Sequence, residues 1–325
     1  MRCRSMSSSA ALASPSRSAD CVSALPPMCP TDPMAGTGFS RGFTLIEMIM
    51  TIAITGIVAG MVVVFLRQPI DAFVDTGRRA EMSDTADGAI RRMVRDVRRA
   101  VPNTLRVLRV GSIDYVEFIP ARAGARYRFD NACFTSGCSS LTTMGSLVDD
   151  ASGLPRICTG VGTPAGCPAA DRIIVFNPYN NAAGDCSVAN PSAYCEFVGG
   201  DPAATVTGVT PAGDADVVQF VNSRFRPGNG SAAARFQIAE QPVTYACDPI
   251  SGTITRFSGY GVQAVQPTPP LGGQSHLLAR GISACAMTYA SGAFERWALL
   301  AMQFTLTQAG ESATFYQEVH VDNAP

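Results

Sequence analysis

One apolar stretch limits what this chain can fold into. Residues Phe43 to Leu66 read FTLIEMIMTIAITGIVAGMVVVFL, 24 residues of which only Glu47 is charged. As an α-helix, such a stretch reaches about 36 Å, more than the roughly 30 Å hydrocarbon core of a bilayer. Because a carboxylate inside a membrane span is costly, we expect Glu47 to have a partner or a function. The stretch predicts a transmembrane helix over residues 43–66.

The residues around the start of this stretch carry a processing signal. A secretory signal peptide is cleaved after its apolar core, whereas here Arg41 and Gly42 precede the apolar run. The run GFTLIE, Gly42 to Glu47, followed by an uncharged helix, resembles the class III signal of the type IV pilin and pseudopilin superfamily. The resemblance implies cleavage between Gly42 and Phe43 by a prepilin peptidase, and N-methylation of Phe43. The alternative is an ordinary signal anchor that carries a chance glutamate.

The resemblance also gives Glu47 a role in assembly. Cleavage frees an amine at Phe43, about one helical turn from Glu47, where it neutralises the carboxylate of its own subunit poorly. The amine of a neighbouring subunit, shifted along the axis, can pair with Glu47 and remove the cost of two unpaired charges in lipid. The implied partners are other major and minor pilins, the prepilin peptidase and the inner-membrane pilus assembly platform.

Charges at the two ends of the span predict its orientation. Several arginines precede it and favour a cytoplasmic amino terminus, namely Arg2, Arg4, Arg17 and Arg41. We therefore expect a single-pass inner-membrane protein with a periplasmic carboxy-terminal domain, which later reaches the pilus and the cell surface. Residues 1–42 are the predicted leader. It is long for a pilin signal, so we expect that translation starts at Met34.

The cysteines support a periplasmic domain. Of eleven cysteines, three precede the predicted cleavage point and eight follow the span. An even number on the translocated side predicts disulfides. Spacing favours nearest-neighbour pairs, one of the many connectivities that eight cysteines allow: Cys133 with Cys138, Cys158 with Cys167, Cys186 with Cys195, and Cys247 with Cys285.

Downstream of the span, the patterns predict an α+β fold in which one long helix packs on an antiparallel sheet domain. Residues 67–101 have apolar positions at steps of three and four, which predicts an amphipathic helix. Its opposite face carries arginines that are either solvated or paired with acids of neighbouring subunits: Arg91, Arg92, Arg95, Arg98 and Arg99. Residues 102–325 form the predicted β-rich domain. It contains a cysteine-rich insert over about 131–211, which is dominated by Gly, Ser and Pro.

Short alternating runs predict the strands. Ile113–Ile119 and Ala125–Phe129 read as a first antiparallel pair with Ala-Gly in the turn. Further strands are predicted over residues 172–176, 217–222, 235–239, 243–247, 253–258 and 284–289. Trp297–Gln308 and Thr314–Val321 flank a short polar turn and predict a terminal hairpin.

Little in the sequence points to catalysis or to a cofactor. The net charge is −1 and all 25 basic residues are arginine, which gives no case for nucleic-acid binding and excludes P-loop or Schiff-base lysine chemistry. No cysteine pair has zinc-knuckle spacing, and there is no G-x-S-x-G motif. We expect no enzyme activity, no metal and no cofactor. His276 is expected in a solvated loop, His320 in the last strand, and Asp149–Asp150 in an exposed loop rather than at a calcium ion.

A narrower resemblance covers much of the chain after Gly42. Five segments are similar to the MshO minor pilin-like proteins of the MSHA pilus system. They are residues 72–81, and PVTYACD, GTITR, ISAC and QEVHVDNAP at residues 242–248, 252–256, 282–285 and 317–325. The resemblance implies a minor pilin that primes or caps pilus assembly. Two alternatives stay open: a minor pseudopilin of type II secretion, of the J kind, and a tip adhesin whose insert binds a ligand through Tyr179 and Tyr194.

Overall fold

The long first helix, α1, covers Leu45–Val97 and runs through Pro69. It ends four residues before the predicted end, because the backbone of Ala100 bridges Pro120 and the Val101 N–H donates to the Ile119 carbonyl. The chain divides into two structural units, Met1–Val64 and Phe65–Pro325. The computed structural model describes residues 42–128, 132–147, 157–162, 167–187, 191–195, 202–223, 225, 233–291 and 297–323.

The second unit contains two antiparallel sheets and a closed barrel. The five-stranded sheet has the order β1 (Arg106–Val110), β2 (Ile113–Phe118), β9 (Val243–Asp248), β10 (Thr253–Ser258) and β11 (Gln274–Arg280). The three-stranded sheet has the order β12 (Ile282–Ser291), β13 (Trp297–Gln308) and β14 (Glu311–Asp322). A one-turn helix, α2 (Ala132–Thr135), lies between two strands of the barrel.

The main core lies where the last turns of α1 pack against both sheets. Met93 and Val97 of α1 are fully buried in one cluster with Phe118 of β2, Tyr245 of β9 and Leu300 of β13. Their burial follows the alternation of the strands, since every second residue of β13 is buried. The predicted α+β fold, with a long helix packed on antiparallel sheets, is therefore confirmed.

The terminal hairpin forms as predicted. β13 and β14 pair along their full length, from Trp297 opposite Asp322 to Gln308 opposite Glu311. The two turn residues, Ala309 and Gly310, have φ angles of 51° and 87°. Positive φ at both central positions is typical of the two-residue turns that match the twist of a hairpin.

The predicted first pair of strands is wrong. β2 pairs with β1 and β9, whereas β3 (Ala121–Tyr127) pairs with two strands of the barrel, β4 (Cys138–Met144) and β8 (Arg235–Ala239). Gly124, expected in a turn, lies inside β3 opposite Gln237. Each other predicted strand overlaps a strand of the structure. Four strands of the structure are not predicted by the patterns: β1, β11 and two strands of the barrel, β4 and β6 (Ala203–Pro211).

The predicted loop-rich insert forms part of a closed six-stranded barrel. Its order is β3, β4 (Cys138–Met144), β7 (Asp216–Ser223), β6 (Ala203–Pro211), β5 (Arg172–Ile174) and β8 (Arg235–Ala239). The barrel has its own core, which includes Tyr127, Val218 and Phe236. It is inserted between β2 and β9, and the residues at which the chain leaves and re-enters the sheet, Phe118 and Val243, face each other in register.

The described residues contain four disulfides, all in the second unit. They join Cys133 to Cys138, Cys158 to Cys167, Cys186 to Cys195, and Cys247 to Cys285, the same pairs that the spacing predicts. The first three close loops of the inserted segment. The fourth joins β9 of the five-stranded sheet to β12 of the three-stranded sheet.

A buried cation connects the five-stranded sheet with two loops. The guanidinium of Arg106 in β1 donates to the Glu117 carboxylate of β2 at 2.6 Å, and both side chains are fully buried. It also donates to the carbonyls of Gln263 and Ala264, in the connection between β10 and β11, at 2.8 and 2.6 Å. On its other side it lies 3.8 Å from the ring centroid of Tyr194. The ion pair is thus enclosed by polar partners and an aromatic face.

A second polar cluster holds the end of α1 on the sheet. The buried carboxylate of Asp96 accepts hydrogen bonds from the Tyr245 hydroxyl at 2.7 Å and from Arg256 at 2.9 Å. Burial alone would raise the pKa of Asp96, but these hydrogen bonds and the charges of Arg256 and Arg92 outweigh it, so the pKa lies below its usual value. Burial and the charge of Asp96 raise the pKa of Tyr245.

We predict that Asp96→Asn lowers the free energy of unfolding by about 1–3 kcal/mol at neutral pH, because Arg256 and Tyr245 lose a charged acceptor. A carboxyl whose pKa is depressed by folding stabilises the protein above its unfolded-state value of about 3.9, and this contribution is lost as the pH falls through the folded-state pKa. The difference between wild type and variant should therefore shrink in acid. Urea denaturation of the full chain in detergent at several pH values measures this difference in the free energy of unfolding.

Asp87→Asn is the matched control for Asp96→Asn. Asp87 lies on the same helix, but it is exposed and pairs only with Arg91, four residues on. We expect Asp87→Asn to lower the free energy of unfolding by less than about 0.5 kcal/mol. Equal effects of the two substitutions, or a difference that does not change with pH, would show that the Asp96 cluster does not anchor the helix.

Candidate processing and assembly site

The first turn of α1 is held by a cap that the sequence analysis missed. The helix begins at Leu45, and the Glu47 N–H donates to the Thr44 side-chain oxygen at 3.3 Å and to the Thr44 carbonyl at 3.1 Å. Thr44 is therefore the N-cap and Glu47 the third helical residue. Thr-x-x-Glu is the signature of a capping box, so the spacing of GFTLIE contains this signal. A carboxylate in the first turn is also favourable toward the positive end of the helix dipole.

The predicted processing and assembly residues lie together at this end of the helix. Gly42, Phe43 and Glu47 are all exposed. Within the described part of the chain, the Glu47 carboxylate has no hydrogen-bond or ion-pair partner; the bonds to Thr44 come from its backbone N–H. The site thus presents the predicted cleavage position, a helix start and an acid that is unpaired among the described residues, all within six consecutive residues. The leader before it, with Met34 and Arg41, lies outside the described residues.

The apolar side chains that follow have no protein cover among the described residues. From Phe43 to Leu66 the large apolar residues are between 48% and 81% exposed. One helix is long and apolar enough to cross a membrane, with a mean hydropathy of 2.6 over its most apolar window. Contiguous exposed apolar surface of this kind marks contact with lipid or with other proteins.

Comparison with known proteins recognises this segment. Residues 39–63 match a family model described as "Prokaryotic N-terminal methylation motif". The motif indicates a type IV pilin-like protein. Neither the curated proteins nor the solved structures contain a match to the chain.

The motif has consequences for processing and location. It implies cleavage by a prepilin peptidase and assembly with other pilins. Together with the apolar helix, it fits a single-pass inner-membrane protein. A pilin-type motif suggests a structural subunit and not an enzyme.

Other candidate residues do not gather into a second site. His276 lies exposed in the edge strand β11, not in the expected loop, and His320 lies exposed in β14 with its ring 6.1 Å from that of Trp297. Among the described residues, no three His, Cys, Asp or Glu side chains cluster as metal ligands. Asp149 and Asp150 fall outside the described residues.

The aromatic residues proposed for ligand binding differ from each other. Tyr179 is exposed, but Tyr194 is only 1% exposed, and its hydroxyl donates to the Thr104 carbonyl at 2.6 Å. Burial raises the pKa of Tyr194 well above its usual value. Because Tyr194 covers the Arg106–Glu117 ion pair, it is a core residue and is not free to bind a ligand.

We predict that Thr44→Ala frays the first turn of α1. Removing the cap leaves the Glu47 N–H without its side-chain acceptor and costs about 1 kcal/mol of local helix stability, equivalent to about fivefold faster amide exchange. Hydrogen exchange of the full chain in micelles should show this change at residues 45–48. Thr51→Ala is the control, since the Thr51 hydroxyl donates to the Met48 carbonyl inside the helix. Unchanged exchange at residues 45–48 in Thr44→Ala would rule out the cap.

Proposed function

We propose that this chain is an MshO-like minor pilin that assembles through α1 into a type IV pilus of the MSHA type, and that it primes or caps the filament. The observation that carries the proposal is the methylation motif at the head of an apolar helix that no described residue covers. The size of the carboxy-terminal unit supports a minor subunit. The resemblance of the segments around Cys247 and Cys285 supports the MSHA system.

In this proposal, prepilin peptidase cleaves between Gly42 and Phe43 and the new amino terminus of Phe43 is methylated. The unpaired Glu47 carboxylate then forms an ion pair with the amine of a neighbouring subunit. The physical reason is that both charges are costly in an apolar surrounding and each removes the cost of the other. The pairing fixes the axial register, and the apolar side chains of α1 supply the packing.

We predict that Glu47→Gln lowers incorporation into pili by about tenfold or more, because the neighbouring amine loses its counter-charge in an apolar environment. Immunoblots that compare the amount of the protein in sheared pili with the amount in the membrane fraction measure this incorporation. Glu81→Gln is the control, since Glu81 is an exposed acid on the same helix beyond the span. Normal incorporation of Glu47→Gln, or a mature protein that still carries Arg41, would contradict the proposal.

A deletion of the gene separates the MSHA assignment from the pseudopilin of the J kind. If the chain is a minor pilin, the deletion strain should have few or no pili and normal secretion of exoproteins. If the chain is a type II pseudopilin, the deletion strain should have normal pili and reduced secretion of exoproteins. The identity of the neighbouring genes gives an independent answer.

One observation favours a second candidate function, a tip adhesin. The barrel has a core of its own and enters and leaves the sheet at the paired residues Phe118 and Val243. Such an insertion can carry a surface activity without altering the sheet that bears it. The adhesin function would then lie on the barrel surface and not at Tyr194.

Excision of the whole barrel tests the adhesin function. We predict that replacing residues 119–242 by a two-residue Asn-Gly turn leaves a folded pilin-like domain, because Phe118 and Val243 already face each other as in a hairpin. The excision removes Tyr194, but Arg106 keeps the Glu117 carboxylate and the carbonyls of Gln263 and Ala264. Piliation should persist and surface adhesion should fall. Deleting only 131–211 is the contrasting variant: it removes β4, β5 and β6, which leaves β7 without a neighbour and exposes one edge each of β3 and β8. Because open strand edges pair with other chains, we expect aggregation. Unchanged adhesion after full excision would exclude the adhesin function.

A further inference from the structure

The barrel surface carries three arginines without an acidic partner. Arg126 lies near the end of β3, Arg128 follows it by two residues, and Arg235 begins β8. All three are exposed, and none of their side chains forms a hydrogen bond or an ion pair in the described structure. Other arginines of this region do have partners, as Arg122 has in Asp171 and Arg99 in Glu240. We call Arg126, Arg128 and Arg235 the arginine patch.

The three side chains point outward from neighbouring positions. Arg126 and Arg235 are directly opposite each other in the β3–β8 pair. Tyr127, between Arg126 and Arg128, is fully buried in the barrel core, as is Phe236, next to Arg235. Since side chains alternate along a strand, all three arginines face the outside. Arg126 and Arg128 are therefore about 6.5–7 Å apart along the strand, and Arg235 is about 5 Å from Arg126 across it.

This arrangement costs stability in the isolated protein. Like charges placed directly opposite on paired strands repel each other, and no acid in the described chain compensates. On the other side of Arg126, β4 places the exposed Met144 in register with it. Arginine and methionine are both enriched in protein interfaces. A surface that is unfavourable alone and rich in interface residues is suited to a partner that supplies the missing charge.

We propose that the arginine patch, with Met144, is a docking surface for an extended acidic segment of another protein. Each guanidinium can form a bidentate pair with a carboxylate. In an extended strand, alternate side chains lie about 6.5–7 Å apart, which matches the spacing of Arg126 and Arg128. The inference stands on the barrel alone and does not depend on how α1 assembles.

The same features fit a nucleic acid less well. Single-stranded binders combine basic grooves with aromatic side chains on which bases stack. Among the described residues, the aromatic side chains next to the arginine patch in sequence, Tyr127 and Phe236, are buried inside the barrel.

Binding to a defined acidic peptide tests the proposal. The probe is a fluorescein-labelled peptide of alternating Glu and Ser, titrated with the full chain in neutral detergent and followed by anisotropy. We expect the double variant Arg126→Glu, Arg235→Glu to weaken binding by about tenfold or more, since several exposed ion pairs become repulsive. Arg280→Glu is the control: it changes an exposed arginine in β11, on another sheet, and should change the affinity less than about twofold.

Three results would overturn the proposal. One is equal weakening by Arg280→Glu, and another is equal binding of a peptide with Gln in place of Glu. The third is tighter binding of an oligothymidylate of the same charge, which would assign the patch to nucleic acid.

Stability gives a readout that does not depend on the probe. Arg126→Glu places opposite charges across β3 and β8, so the melting temperature should rise by about 1–3 °C while binding falls. A lower melting temperature would show that the arginines are structural, and any loss of binding would then reflect damage to the barrel.

Discussion

The arrangement of the second unit depends on one buried cation, Arg106. Because an unpaired charge without water costs several kcal/mol, the guanidinium requires the Glu117 carboxylate and the carbonyls of Gln263 and Ala264 in their places at the same time. Tyr194 closes the site from the segment held by the Cys186–Cys195 disulfide. A single side chain therefore makes the sheet, the β10–β11 connection and part of the inserted segment depend on one another.

The sequence predicts elements whose information is local. The alternation of Trp297 to Gln308 and the polar turn after it define the last hairpin, and the spacing of the cysteines indicates their pairs. The barrel is different, because its closure rests on pairings such as β3 with β8, which join residues more than a hundred positions apart. β4 and β6 contain Ser, Thr, Gly and Pro, so their composition resembles that of loops. No local pattern distinguishes such strands from a stapled loop.

At the amino-terminal site, the residue pattern carries more information than the surrounding fold. GFTLIE indicates the processing point, and residues 39–63 match the methylation motif independently of any tertiary contact. The capping role of Thr44 is also encoded locally, in its three-residue spacing to Glu47. Tyr194 shows the opposite case: an aromatic residue between glycines, serines and prolines looks accessible, and only the tertiary structure shows that it covers a buried ion pair.

The disulfide between Cys247 and Cys285 has a mechanical consequence. The two cysteines are 38 positions apart and belong to different sheets. In the proposed filament, tension that enters this unit through α1 reaches these sheets along the backbone. The covalent bridge then transmits the force directly between Cys247 and Cys285. The chain between them, which contains β10 and β11, therefore cannot be extended by the pull. Under force, segments outside the disulfide-closed loop should unfold first. Refolding after partial extension should not require β10 and β11 to form again.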